Sequence, residues 1–243
     1  MYPVRYEADF VEQQSRAKAF FRWVLIVPWA IVGSIYGLVA QFLALLAWFA
    51  LLFTGRYPHG LYDFQAGYLR FAGRLFGYGY LQTEEWPPFG IEDDRTYPVR
   101  VDVAPPLPKY NRWKVFFRLI LGIPVMFMLY LMPYLSLLGA FVAWLHIVVM
   151  GRTSGGVHNA ITFGNAYTLR AIAYFLLVTE TLPPVSDQEP AANRAAPAAP
   201  KQLAASGTPK PKPAPKARAK KAGAKRKPAA KAAAKRKPSA GSS

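Results

Sequence analysis

Arginine is the residue whose type and position in this chain best match a binding chemistry. Arg56 and Arg152 each follow a glycine at the end of a long apolar block, and Arg74 and Arg170 lie 18 residues further along. Guanidinium groups at the edge of an apolar segment bind lipid phosphates, or they simply anchor a helix at the headgroups. We therefore predict Arg56, Arg152, Arg74 and Arg170 as candidate lipid-phosphate ligands, with simple anchoring as the alternative.

A second basic set lies near the C-terminus, where Ala-Lys-Arg-Lys-Pro occurs at 224–228 and again at 234–238. Residues 190–243 hold 15 Lys and Arg and no Asp or Glu, so they resemble the tails of linker histones. Such a segment is predicted to be disordered and to bind anionic headgroups or nucleic acid through charge alone. The alternative is a tail that only fixes topology and solubility. The predicted binding residues are Lys225, Arg226, Lys227, Lys235, Arg236 and Lys237.

The other polar residues form no catalytic pattern. The chain has no cysteine, and its three histidines lack the spacing of metal ligands. The acidic run 92–94 lacks a calcium-loop pattern and is predicted to be a solvated loop. His146 lies in an apolar block, but Ala50 occupies the matching place in the other block, so a duplicated mechanism does not use it. We therefore predict a non-enzymatic protein without a cofactor or metal.

Two apolar blocks, residues 20–53 and 119–151, must position the arginines. Arg22 is the one charged residue within them, and basic residues flank both ends of both blocks. A block this long exceeds one crossing, which needs about 20 residues, and basic residues favour the cytoplasmic side. We therefore predict that each block is a helical hairpin that turns near Gly33 and Gly37 in the first and near Pro133 in the second, with all ends inside. Arms of about 15–17 residues would either barely span the membrane or be wedged in from one face.

The blocks belong to an internal duplication. Residues 16–88 match residues 112–184 at 20 of 73 positions without a gap, and Tyr2-Pro3-Val4-Arg5 recurs as Tyr97-Pro98-Val99-Arg100. This gives two repeat units, 1–92 and 93–186, followed by the tail 187–243. Each unit is predicted to contain a short strand, a membrane hairpin and a third helix, and the two strands should pair or pack on the third helices.

The third helix of each unit, about 61–81 and 157–178, is predicted from its periodicity. Asp63, Arg70 and Arg74 fall on one narrow stripe and aromatic residues on the opposite arc. Such a helix lies in the membrane interface. One alternative is a helix packed against the hairpin, with Gly73 and Gly77 allowing a close contact. Another is a third helix that crosses the membrane and inverts the second unit, which the six basic residues of the linker 84–118 disfavour.

The chain resembles a bacterial and archaeal membrane family, domain of unknown function 4389, in two tandem copies. The resemblance rests on Gly-Arg-Tyr-Pro at 55–58, Leu-Arg-Phe at 69–71 and Trp-Pro-Pro-Phe at 86–89. It implies a membrane location and no particular activity. We thus predict an all-α, multi-pass protein of the bacterial cell membrane with both termini cytoplasmic. It would act as a scaffold or anchor and could oligomerise; the alternative is a small transporter or lipid-handling protein built from the two repeats.

Overall fold

The computed structural model describes residues 2–88 and 95–185. These residues form, in chain order, strand β1 (Val4–Ala8), helices α1 (Arg16–Leu25), α2 (Val27–Thr54) and α3 (His59–Gly79), strand β2 (Val99–Val103), and helices α4 (Arg112–Phe116), α5 (Arg118–Leu121), α6 (Ile123–Met150) and α7 (Gly155–Phe175). The predicted fold of two tandem, mostly helical repeats is confirmed, and the short strand predicted in each repeat is present, the two forming one two-stranded sheet.

The predicted turn in the middle of each apolar block is wrong. α2 and α6 are continuous helices of 28 residues each, and Gly33, Gly37 and Pro133 lie inside them. The two glycines instead allow α2 and α3 to approach closely: a Cβ on Gly33 would lie 2.7 Å from Leu75 Cδ2, and one on Gly37 would lie 3.0 Å from Tyr68 Oη. Proline inside a helix removes one backbone hydrogen bond, a loss that long apolar helices tolerate.

Each apolar block is divided instead by a bend beside a proline. α1 ends at Leu25 and α2 begins at Val27, because Pro28 has no backbone N–H to continue the hydrogen bonding of α1. Pro124 occupies the matching place after α5. The hairpin in each repeat is therefore formed by the long helix and the third helix, and the turn between them starts at a glycine with a left-handed backbone, Gly55 or Gly151.

The third helix α3 lies between α2 and the sheet. Its residues Leu75 and Tyr68 contact α2, whereas Gly73 and Gly77 are on the opposite side and contact β2. A Cβ on Gly77 would lie only 2.5 Å from Val99 Cγ2. The helix is thus covered on both sides, which agrees with the packed alternative and not with a helix lying freely in the interface.

The two strands form an antiparallel ribbon, which confirms the predicted pairing of the two short extended segments. The register pairs Val4, Arg5, Tyr6, Glu7 and Ala8 with Val103, Asp102, Val101, Arg100 and Val99. Tyr6, Val99 and Val101 are buried against the helices. Because side chains alternate along a strand, the charged residues between them face the other way.

The repeats exchange their strands. β2, from the second repeat, packs on α3 of the first. β1, from the first repeat, packs on α7 of the second: Arg170 Nε donates to the Val4 carbonyl at 3.3 Å, and His158 Nε2 lies 3.1 Å from the Ala8 carbonyl.

The repeats also exchange their short helices. The Phe20 ring of α1 stacks on the Trp144 ring of α6, with centroids 6.5 Å apart, and Trp48 Nε1 of α2 donates to the Val115 carbonyl of α4 at 3.1 Å. The predicted units 1–92 and 93–186 are therefore sequence repeats whose described residues interlock in one body, while the boundary between them lies outside the described residues.

Candidate membrane interface

The outer faces of α2 and α6 expose large apolar side chains. Leu38 on α2 is 72% exposed and Tyr130 on α6 is 71% exposed. The sides of these helices that face the third helices carry small buried residues instead, such as Ala40 and Ala140. Both helices are long and apolar enough to cross a membrane by length and composition. An apolar surface this extended marks contact with lipid or with another protein. Further exposed residues on these faces are Ile31, Ile35, Phe42, Phe53, Phe127, Leu138, Phe141 and Val149.

The opposite side of the molecule is charged. Arg100 and Asp9 form a bidentate ion pair, with nitrogen–oxygen distances of 2.7 and 3.0 Å. Asp9 holds the pKa of Arg100 above its ordinary value through this hydrogen bonding. Arg5 and Glu7 pair along β1 at 3.5 Å. The long helices and the charged sheet surface thus lie on opposite sides of the α3–α7 layer, so the described residues form a slab with one apolar and one charged side.

Each hairpin turn brings together two exposed arginines from different repeats. A Cβ on Gly55 would lie 3.5 Å from Arg112 Nε, and one on Gly151 would lie 3.3 Å from Arg16 Nε. Arg56 and Arg152, the predicted phosphate ligands, directly follow these glycines and are exposed. The second arginine at each turn was not predicted as a ligand, because it comes from the repeat that the turn does not belong to.

An open pocket lies beside each of these turns. One has a volume of about 470 Å³ and is lined by Phe10, Glu12, His146, Met150 and Arg152 among others. The other, of about 620 Å³, is lined by Lys109, Tyr110, Asn111, Arg112, Trp113 and Glu180. Each pocket combines cationic and apolar groups with one carboxylate. The combination suits the junction between a phosphate headgroup and its acyl chains.

The other two predicted phosphate ligands have different positions. Arg74 is only 3% exposed, so burial removes it from the lipid surface. Arg170 is half-buried, donates to the Val4 carbonyl, and lies 5.8 Å from the centre of the Tyr2 ring. The structure therefore gives Arg170 a contact that holds β1, and leaves Arg56 and Arg152 as the surface candidates.

Two buried arginines were missed as a functional pair. Arg22 and Arg118, counted in the sequence as basic flanks, are 1% and 4% exposed. Each guanidinium lies 4.1 Å from a tyrosine ring centre, that of Tyr78 or Tyr174, and donates to two backbone carbonyls, one in the last turn of the third helix and one just after it. Burial lowers the pKa of both, to about 10 for Arg118. Their identity in both repeats is the signal that would have found them.

The contacts of Arg22 and Arg118 with these carbonyls, which we call the arginine clamps, hold a strained turn at the end of each third helix. Leu81 and its repeat partner Leu177 have positive φ angles of 61° and 66°, a conformation that costs a residue with a side chain about 1–2 kcal/mol. Arg22 Nη1 donates to the carbonyls of Tyr78 and Thr83 on either side of Leu81, at 3.1 and 2.7 Å. The arginine therefore fixes the end of α3 against α1.

Several predicted residues lie outside the described part of the chain: the basic set Lys225, Arg226, Lys227, Lys235, Arg236 and Lys237, and the acidic run 92–94. His146 is described, and its Nδ1 lies 3.0 Å from the Val142 carbonyl of its own helix. Within residues 2–88 and 95–185, no group of His, Asp and Glu has an arrangement that could hold a metal.

Comparison with known proteins identifies the domain but no activity. The family described as Domain of unknown function (DUF4389) matches residues 16–90 and 112–186. The first match contains helices α1 to α3, and the second contains helices α4 to α7. Neither the curated proteins nor the solved structures contain a significant match to the chain. Since the two matches together cover more than half of the sequence, the chain belongs to this family and carries two tandem copies of its domain.

Proposed function

We propose that the protein is a non-enzymatic membrane anchor that holds its basic tail at the cytoplasmic face of the bacterial cell membrane. The observation that carries this proposal is the exposed apolar surface of α2 and α6, with the charged sheet on the opposite side. A surface of this kind is stable in contact with acyl chains. The exposed arginines at the turns, Arg56 and Arg152, are then placed to bind lipid phosphate.

The tail is the part that recruits partners. Its 15 positive charges have no acidic partner within residues 190–243. Basic residues near an anionic surface contribute about 1 kcal/mol each, so the tail binds anionic headgroups when lipid is the nearest polyanion. Nucleic acid competes through the same chemistry, with counterion release and without reading of the base sequence.

The test uses the full chain on liposomes that contain anionic lipid. Neutralising the six residues of the two Ala-Lys-Arg-Lys-Pro motifs, for example Lys225→Gln and Arg226→Gln with the other four, should leave the protein bound to the liposomes. The same change should abolish retention of DNA on them. For the native chain, the DNA affinity should fall by about a thousandfold between 50 and 200 mM salt, as for proteins with six or more phosphate contacts.

A matched control neutralises Lys109 and Lys114, which lie in the folded body, and should retain DNA as the native chain does. Salt-insensitive or sequence-selective DNA binding would contradict the electrostatic proposal. Unchanged retention of DNA on the liposomes after deletion of residues 190–243 would contradict the role of the tail.

A further inference from the structure

The chain direction of β2 relative to α3 is set by contacts at both ends of the strand. Val99, at the start of β2, contacts Gly77 near the end of α3. Ala104, just after β2, accepts a hydrogen bond from the Tyr62 hydroxyl near the start of α3. β2 therefore runs antiparallel to α3 and covers most of its length.

β1 has the same relation to α7. Val4 contacts Arg170 and Ala8 contacts His158, so β1 runs antiparallel to α7. Because β1 and β2 are themselves antiparallel, α3 and α7 must run in opposite directions. The central pair of the ribbon, Tyr6 and Val101, consists of repeat-equivalent residues, which places an approximate two-fold axis through the ribbon and perpendicular to it.

The ribbon lies level with the middle of the long helices. α7 packs on α6 where Gly164 meets Ser136 and where Ile161 meets Gly139, close to the midpoint of α6. The part of α7 that contacts β1, residues 158–170, is centred on these contacts. α6 is about 42 Å long, and the hydrocarbon core of a bilayer is about 30 Å thick. If α6 stood upright across a bilayer, its midpoint would lie near the middle of that core, and β1, which is level with the midpoint, would lie there too.

An upright arrangement is therefore excluded by the chemistry of the ribbon. Arg5, Glu7, Arg100 and Asp102 would lie at the depth of the acyl chains, and charged groups there cost at least 2.5 to 3.5 kcal/mol each. A two-stranded ribbon also leaves open sheet edges, which do not occur in the hydrocarbon region.

We infer that α2 and α6 lie in the plane of the membrane, embedded in one leaflet, with the charged ribbon in water. This inference rests on the proposed membrane attachment and replaces the multi-pass topology expected from the sequence. The approximate two-fold axis is then parallel to the membrane normal, so both repeats present the same apolar face to lipid. Both hairpin turns, with Arg56 and Arg152, lie at headgroup level on one side.

The experiment uses single cysteines in this cysteine-free chain. Gly60 and Gly155 lie at the starts of α3 and α7, and a Cβ on either has no neighbour within 4 Å, so Gly60→Cys and Gly155→Cys should fold normally. Each variant is expressed in bacteria and labelled with a membrane-impermeant maleimide, in intact spheroplasts and in inverted membrane vesicles. The in-plane arrangement predicts that both cysteines react in inverted vesicles and neither in spheroplasts.

Because α3 and α7 are antiparallel, upright helices would place the two cysteines on opposite sides, and reaction of one in each preparation would overturn the inference. Reaction of both only in spheroplasts would keep the in-plane arrangement and overturn the cytoplasmic location in the proposed function. Recovery of the protein in the soluble fraction would overturn the membrane attachment itself.

A second measurement tests depth. Environment-sensitive fluorophores on Ile31→Cys, Leu38→Cys and Phe53→Cys, all exposed on the outer face of α2, are quenched by nitroxide lipids of known depth. An in-plane helix predicts the same shallow depth at all three positions. A depth that increases from Phe53 to Leu38 by most of a leaflet would overturn the inference.

Discussion

Replacement of Arg22 by methionine is expected to destabilise the fold by about 2–4 kcal/mol, an estimate built from three contributions. Arg22 donates to the carbonyls of Tyr78 and Thr83, at 3.1 and 2.7 Å. Hydrogen bonds from a charged donor contribute about 1.5–3 kcal/mol each. The cation–π contact with the Tyr78 ring, at 4.1 Å, adds about 2 kcal/mol in a desolvated site.

An opposing contribution reduces this total. The Arg22 side chain is buried, and its Nε and Nη2 make no hydrogen bond with the described residues. Desolvation of a charged group costs several kcal/mol, and methionine, which is unbranched and uncharged, removes that cost. The net loss is therefore smaller than the sum of the contacts.

The measurement is chemical unfolding in detergent micelles, followed by far-UV circular dichroism. Arg118→Met should lose a similar amount, because Arg118 makes the same contacts with Tyr174 and Thr179. Arg22→Lys keeps the charge but loses the planar fork, so its stability should fall between the native chain and Arg22→Met. Arg16→Met, at an exposed residue six positions earlier, is the control and should change stability by less than about 0.5 kcal/mol. If the unfolding midpoint of Arg22→Met equals that of the native chain, the contacts of Arg22 do not stabilise the fold and the reasoning is refuted.

Three further predictions concern the packing of the sheet and helices. Gly73→Ala should destabilise by about 1–3 kcal/mol because its Cβ overlaps Val101 Cγ2, with partial rescue by Val101→Ala in a double-mutant cycle, whereas Gly60→Ala, in open space, should not destabilise. Burial lowers the pKa of His158, so the unfolded chain takes up the proton first. The urea midpoint should then fall as the pH drops below about 6.5, and His158→Gln should flatten this dependence. Asn111→Ala removes the side chain that caps α4 and should cost about 1 kcal/mol, measured by thermal unfolding.

The sequence predicted the repeats, the apolar blocks and the pairing of the strands, because each leaves a local signal. It did not predict which helix forms the hairpin. Glycine occurs both in turns and where two helices pack closely, so its presence does not distinguish the two. At Gly33 and Gly37 the helix that packs closely is α3, which follows later in the chain, so the sequence around these glycines does not reveal the contact. Similarly, a basic residue beside an apolar block is expected at the headgroups, yet Arg22 and Arg118 are buried through contacts made 56 and 61 residues away. Composition cannot distinguish an in-plane helix from a crossing one either; the in-plane arrangement that we infer rests on the position of the charged ribbon beside the middle of α6, which only the fold reveals.

The exchange of strands and short helices gives the single chain the geometry of a two-fold dimer. Two copies of one repeat would bury the same surfaces, since each strand packs on the third helix of the other repeat. A polar network breaks this symmetry: Gln82 Oε1 accepts from the Tyr6 hydroxyl at 2.5 Å and from Asn165 Nδ2 at 2.9 Å, and Gln82 Nε2 donates to Thr162. The equivalent positions in the other half hold Val101, Val178, Leu69 and Ala66. The hydrogen bonds of a buried network form in only one register of the strand, so this network specifies the position of β1 on α7. The equivalent apolar residues, where β2 packs on α3, contribute buried hydrophobic surface instead.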